Sequence, residues 1–235
     1  MTDLSAGPNL EISWCDGWLR SQKRTVRPMV AAAIDLAREG FEALEVPLEG
    51  DKTFRLYRAG ETYTDAATSV RQGLIELYLK VNDVRYRKLG AKLGLYSVVL
   101  MHEMIHDERL ALFPESNLAE HAVTEGLAHC GDAMFARLLM WPEEHHDVFR
   151  LVDSMTPGNA ELLTRALSAD VELDQIESKA GTNTICDQWF EEETSEFHDY
   201  PIGVAVGSYH VARHLRSGQT LAELMHRTPE EILLG

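Results

Sequence analysis

One pentapeptide near the middle of the chain, His102-Glu103-Met104-Ile105-His106, combines residue types that can do chemistry at a helical spacing. Histidines at i and i+4 lie one turn apart on the same helix face, so the two ring nitrogens can converge on one metal ion. Glu103 is rotated by about 100° from His102 by the helical period. It therefore lies off the ligand axis but can reach a nearby water, which is the position that a general base requires.

A third metal ligand is expected on the next predicted helix, because a catalytic zinc site takes three protein ligands and keeps one position open for water. His121, Glu125 and His129 are spaced i, i+4 and i+8 and so share one helix face. The loop at 111–117 is long enough to reverse the chain between the two helices. We predict Glu125 as the third ligand, with His121 or His129 as alternatives. We expect Glu120, off that face, to cap the helix or lie in solvent.

These residues predict metal-assisted hydrolysis. His102, His106 and Glu125 would hold a Zn²⁺ ion, although the same donors suit other divalent ions. Glu103 would accept a proton from the attacking water and pass it to the leaving group. Three alternatives remain open: a structural zinc site in a binding or adaptor protein, closed by His129 or His121; a helical protein whose HExxH motif is accidental; and a hydrolase of a non-peptide amide or ester.

A group that stabilises the oxyanion is expected in the last third of the chain. Tyr209 and His210 are the first choices, because Gly203 and Gly207 allow their helix to approach another closely. The other candidates are His198 and Tyr200.

Helices are predicted to dominate the elements that position these residues, with a few strands early in the chain. Periodicity predicts helices over 26–44, 89–110, 117–140, 159–173, 203–215 and 220–234, strands over 53–58 and 72–80, and an irregular or partly helical arm over 1–24. The strand at 72–80 is either an ordinary sheet strand or an edge that docks an extended peptide. No linker divides the chain, so we predict one α+β domain over 1–235, with an N-terminal part (1–70), a metal-site part (71–140) and a C-terminal helical part (141–235).

The amino-acid composition limits the classes of partner and the compartment that we expect for this protein. The formal net charge of −16 argues against nucleic acid or an anionic membrane surface as the main partner. The cysteines Cys15, Cys130 and Cys186 are odd in number and far apart, which predicts free thiols in a reducing cytoplasm. We expect no signal peptide and no membrane span. The sequence assigns no oligomeric state.

The two metal-site motifs resemble those of a bacterial family of predicted zinc-dependent proteases of gluzincin type, a domain of unknown function. That family places an arginine shortly after HExxH, matched here by Arg109, and then an EGLAE motif, matched by Glu125-Gly126-Leu127-Ala128-His129. Its closing segment is similar to 203–207, 220–224 and 229–233 here. The resemblance covers roughly residues 70–235. It implies a zincin-like metallopeptidase fold with an HExxH active-site helix and a peptide or protein substrate.

This chain departs from the family pattern at several positions. His129 stands where the family usually carries an acid, and Val204 and Ser208 replace aromatic residues. Tyr209 is displaced by one position from the usual tyrosine. These departures concern the partner of a zinc-bound histidine and the residue that stabilises the oxyanion.

Overall fold

A computed structural model describes residues 9–15, 17–58, 66–71, 73–79, 89–114, 117–140, 148–168 and 201–235. These residues have an α+β architecture that is mainly helical, as the sequence predicts. They fall into two compact units, Met1–Ala43 with Pro47–Glu108 and Leu44–Val46 with Arg109–Gly235. The prediction of one domain over the whole chain stays a prediction.

The first unit contains a four-stranded sheet. Its strands are β1 (Leu10–Trp14), β2 (Lys52–Arg58), β3 (Ala66–Arg71) and β4 (Leu74–Leu79), in the order β1-β2-β4-β3. β1, β2 and β4 are parallel, and β3 is antiparallel to β4. Every second residue of β2 and β4 is buried, which is the pattern of a sheet with one face in the core.

The arm predicted over 1–24 as irregular or partly helical contains strand β1, which was not predicted, and the start of α1. The strand predicted over 72–80 is confirmed as β4. It has β2 and β3 on its two sides, so it is an ordinary sheet strand and not an edge that docks a peptide. It also begins later than expected, at Leu74, because Gly73 adopts a φ of +78° in the turn that joins β3 to β4. That backbone conformation favours glycine.

Two helices complete the first unit. The helix predicted over 26–44 is α1 (Arg20–Ala43), whose buried side chains follow the expected spacing of three and four. The helix predicted over 89–110 is α2 (Leu89–Leu112), of which the residues up to Glu108 belong to this unit.

A buried ion-pair cluster fixes α2 to the sheet of the first unit. The Lys52 ammonium lies 2.5 Å from a carboxylate oxygen of Asp107 and 2.7 Å from one of Glu108. The Gly73 amide donates to Asp107 at 2.7 Å. Burial alone would lower the pKa of Lys52, but its bonds to the two carboxylates raise it overall, whereas burial raises the pKa of Glu108. The residues directly after His106 therefore set the rotation of the helix that carries the histidines.

The second unit is helical in the residues described. Its helices are α3 (Leu118–Leu138), α4 (Val148–Ser154), α5 (Pro157–Ser168), α6 (Ile202–Arg216), α7 (Leu221–Met225) and α8 (Pro229–Leu233). Asn117 caps α3 as predicted, and its side chain accepts from the Glu120 amide. α3 and α6 cross at two glycines, where a Cβ on Gly207 would lie 1.7 Å from the Ala122 carbonyl oxygen. Gly207 and Gly126 therefore permit α3 and α6 to pack closely.

The sequence led us to expect that Glu120 caps the helix or lies in solvent. In the structure its side chain does not lie in solvent. It is buried and forms a two-point ion pair with Arg109, with distances of 2.8 and 3.1 Å. Arg109 also donates to the carbonyl oxygens of Met225 and Arg227 at 2.6 and 2.8 Å, so it joins the start of α3 to the end of α7. Burial lowers the pKa of Arg109, and the Glu120 carboxylate offsets this in part.

Two predictions from composition can be compared with the structure. Cys15 and Cys130 are free thiols, as expected, and Cys186 lies outside the described residues. Among the helices that the structure describes, none combines the length and the apolar character needed to cross a bilayer.

Candidate metal centre

The HExxH histidines form a close pair on α2 in the first unit. The Nε2 atoms of His102 and His106 are 3.1 Å apart, and the ring centroids are 4.8 Å apart. Two imidazoles bound to one tetrahedral zinc, with bonds of about 2.0–2.1 Å, would place their nitrogens about 3.3 Å apart. The same separation also fits a hydrogen bond between one protonated and one unprotonated ring nitrogen. The helix therefore presents both histidines in a geometry that suits a shared ion.

Glu103 follows His102 on the same helix and is half-buried. Its neighbours on α2 are the buried side chains of Met104 and Ile105, so the charged residues of the motif lie within an otherwise apolar stretch. The role of Glu103 as general base stays a prediction.

The second unit carries a polar stripe along α3, formed by His121, Glu125, His129 and Asp132. Nε2 of His121 lies 3.9 Å from Oε1 of Glu125, and Nε2 of His129 lies 3.6 Å from Oε2 of Glu125. On its other side, Nδ1 of His129 lies 3.7 Å from Oδ2 of the buried Asp132. The predicted ligand Glu125 is thus flanked by imidazoles at distances longer than normal hydrogen bonds.

His102 and His106 belong to the first unit and Glu125 to the second. Imidazole nitrogen and carboxylate oxygen are donors that zinc and several other divalent ions accept. The donor types of the predicted ligand set therefore fit the ion that the sequence implies, and their joining at one ion stays a prediction.

Tyr209 and His210 line a cavity of about 470 Å³ in the second unit. Side chains of α5, α6 and the C-terminal residues surround it, whereas the polar stripe of α3 is not part of its lining. The residues that line the cavity are Pro157, Ala160, Glu161, Thr164, Arg165, Tyr209, His210, Arg213, Leu233 and Leu234. The part of Tyr209 and His210 in stabilising an oxyanion stays a prediction, and His198 and Tyr200 lie outside the described residues.

His210 is held as a neutral imidazole. Its Nε2 lies 2.7 Å from the hydroxyl of Thr164, and that hydroxyl donates to the Ala160 carbonyl oxygen. Because the hydroxyl has a single proton, Nε2 of His210 must donate to it. Burial, helped by the charges of Arg213 and His214, lowers the pKa of His210 to about 4. At neutral pH this side chain therefore donates through Nε2 and carries no charge.

Asp132 is the polar residue of this region that the sequence reasoning missed. Its position seven residues after Glu125 and three after His129 places it on the same face of α3. The spacing Glu-x₃-His-x₂-Asp could have revealed it, because residues at i, i+4 and i+7 line one side of a helix.

The comparisons with known proteins give no match: no protein-family model, no curated protein and no solved structure matches this chain. The resemblance to the gluzincin-type family therefore remains an interpretation that depends on its motifs.

Proposed function

We propose that this chain is a metal-dependent hydrolase, in which His102, His106 and Glu125 bind a divalent ion and Glu103 is the general base. The observation that carries the proposal is the 3.1 Å separation of the Nε2 atoms of His102 and His106. It is supported by the anchoring of the following residues, Asp107 and Glu108, on Lys52. We propose zinc as the ion and a zincin-like arrangement as the fold.

Each side chain of the proposed site would have a separate role in hydrolysis. When bound, the ion supplies Lewis acidity, which polarises a carbonyl group and lowers the pKa of water. The imidazoles of His102 and His106 and the Glu125 carboxylate would hold it. Glu103 accepts a proton on a carboxylate oxygen as water attacks, and returns it to the leaving amine. Tyr209 would donate a hydrogen bond to the oxyanion, since the single ring proton of His210 is already donated to Thr164.

A peptide or protein is the substrate class that we propose, on the strength of the resemblance of the two motifs. The net charge of −16 disfavours acidic substrates, which would meet a repulsive field. The same charge disfavours nucleic acid as a partner. We propose the cytoplasm as the location, since Cys15 and Cys130 are free thiols.

A second candidate function is a zinc-stabilised binding or adaptor protein. The observation that favours it is His129, whose Nε2 lies 3.6 Å from the Glu125 carboxylate and could supply a fourth protein ligand. Structural zinc usually has four protein ligands, whereas catalytic zinc keeps one position open.

Hydrolysis of a peptide library by the zinc-loaded chain tests the proposal, with the Glu103→Gln variant beside it. We expect cleavage by the wild-type chain and a loss of turnover in Glu103→Gln without a loss of bound zinc, because glutamine keeps the shape but cannot accept the proton. Glu42→Gln, at an exposed position of α1, is the control and should remain active. Full activity of Glu103→Gln would remove Glu103 as the base.

A further inference from the structure

We propose that the cavity between α5 and α6 binds a small organic carboxylate, whose charged end pairs with Arg213 and whose apolar body lies on the buried lining. The cavity has a volume of about 470 Å³, within the range of about 300–1,000 Å³ that is usual for small-molecule sites. All its lining residues belong to the second unit, and none of the predicted metal ligands is among them. This site therefore does not depend on a bound metal ion.

The cavity lies between one face of α5 and one face of α6. On α5 the lining residues from Pro157 to Thr164 follow one another at intervals of a helical turn, and on α6 Arg213 lies four residues after Tyr209. Such spacings place side chains on one face of a helix. Leu233, the last residue of α8, also lines the cavity. Three helices of one unit thus build the site.

The floor of the cavity, which we define as the buried lining residues Ala160, Thr164, His210 and Leu233, carries no charge at neutral pH. These four residues are at most 4% exposed. The polar groups of Thr164 and His210 bond each other at 2.7 Å, and burial helps to lower the pKa of His210 to about 4. An uncharged floor of this kind accepts an apolar group at lower cost than a charged one.

The rim of the cavity, formed by its exposed lining residues, carries the charge. Arg165 forms an ion pair with Glu161, one turn away on α5. The guanidinium of Arg213 is exposed and has no hydrogen bond or ion pair within the part of the chain that the structure describes. Its charge contributes to the low pKa of His210, so it acts on the floor. The rim therefore presents one positive charge that no neighbouring carboxylate neutralises.

A carboxylate joined to a short apolar body matches both parts of the cavity. A guanidinium can donate two parallel hydrogen bonds to a carboxylate, which fixes the orientation of the ligand as well as its charge. A cationic ligand would meet Arg213 with the wrong sign. Inorganic phosphate would pair with Arg213 but bury no apolar surface on the floor. An exposed arginine alone would indicate nothing, and its position beside an uncharged floor is what selects this ligand class.

Binding of hexanoate to the full chain tests the proposal, in the metal-free state so that the carboxylate cannot bind an ion. Methyl-labelled protein in NMR titrations gives the affinity, and nuclear Overhauser effects to the methyl groups of Thr164 and Leu233 locate the ligand. Hexanamide, hexylamine and inorganic phosphate are titrated in parallel. The variant is Arg213→Gln, and the control is Arg216→Gln, which removes the same charge from an exposed position of α6 outside the cavity lining. Tyr209 is left unchanged, because the proposed function gives it another role.

We expect hexanoate to contact both methyl groups and hexanamide to bind about 3–10-fold more weakly, since the ion pair forms at a rim open to solvent. Arg213→Gln should weaken hexanoate by the same factor and leave hexanamide unchanged, while Arg216→Gln should match the wild type. Equal hexanoate affinity in Arg213→Gln and wild type would overturn the proposal. So would tighter binding of hexylamine, phosphate binding as tight as that of hexanoate, or no contact with Thr164 and Leu233. None of these results would affect the proposed metal centre.

Discussion

Two glutamates of α3 lie beside nitrogen-bearing side chains in different ways. Glu120 is buried and forms a two-point ion pair with Arg109 at 2.8 and 3.1 Å. Glu125, less than two turns further along, stands 3.6 and 3.9 Å from two imidazoles and is 19% exposed. The Glu120 carboxylate is held in a buried ion pair, whereas Glu125 is partly exposed beside two histidines. The comparison indicates that one helix carries both a structural cluster and a candidate binding face.

The largest expected effect on the free energy of unfolding concerns the buried ion pair of Arg109 and Glu120. Arg109→Met should destabilise the protein by about 3–5 kcal/mol, because it leaves the Glu120 carboxylate buried without its charge partner and removes the donor to two carbonyl oxygens. Urea unfolding of the metal-free chain measures the change. A loss below 1 kcal/mol on that scale would mean that Glu120 is solvated in the folded protein and that the contrast with Glu125 is false.

The next effect concerns His210, a buried imidazole whose Nε2 is bonded to Thr164. Its pKa is about 4 in the folded chain against 6.5 ordinarily, so the unfolded chain takes up a proton first as the pH falls. Stability should therefore be fully present above about pH 6.5 and decrease by about 3 kcal/mol as the pH falls to 4.

Urea unfolding at several pH values between 4 and 7 checks this decrease. The difference between wild type and His210→Gln should change with pH, while His226→Gln, at an exposed histidine, should give a curve parallel to the wild type. Parallel curves for all three proteins would show that His210 ionises normally.

A somewhat smaller effect is expected from zinc binding at Glu125. Zinc at about 100 times its dissociation constant should raise the free energy of unfolding by about 2.7 kcal/mol, because the ion binds the folded state. Glu125→Gln should lose this increase at the same zinc concentration. Thermal unfolding with and without zinc measures it, and an equal increase in wild type and Glu125→Gln would show that the α3 stripe does not bind the ion.

The smallest effect tests whether short distance alone makes a cluster stabilising. Arg216 and Asp153 are 2.6 Å apart, as close as the atoms of the Arg109 cluster, but their side chains are 51% and 66% exposed. Arg216→Met should cost about 0–1 kcal/mol, since solvent screens the pair. Urea unfolding measures this too. A cost equal to that of Arg109→Met would show that burial does not distinguish the two clusters.

Local patterns predicted the elements of the site well. The extents of α2 and α3 follow from helical periodicity, and the cap at Asn117 follows from one side-chain hydrogen bond. Both signals are local, because they involve residues only a few positions apart in the sequence. The pairing of the two histidines follows from the same spacing, and the 3.1 Å between their ring nitrogens agrees with it.

Interactions between distant residues were not predictable in the same way. β1 exists because it pairs with β2, whose residues lie about 42 positions later, and its own five residues carry too weak an alternation to reveal it. Glu120 looked like a capping residue because its partner Arg109 lies in another helix, and the Met225 carbonyl that completes the cluster is 116 residues away from Arg109. Such contacts depend on tertiary packing, which a single sequence does not encode locally.

Metal analysis of the purified full chain tests the central claim most directly. Inductively coupled plasma mass spectrometry should find a stoichiometric divalent ion in the wild-type chain, and this ion should be absent from His106→Ala and from Glu125→Ala, because each removes one of three protein ligands. Stoichiometric metal that survives both substitutions, or a folded wild-type chain that takes up no metal, would contradict the assignment of His102, His106 and Glu125 as the metal centre.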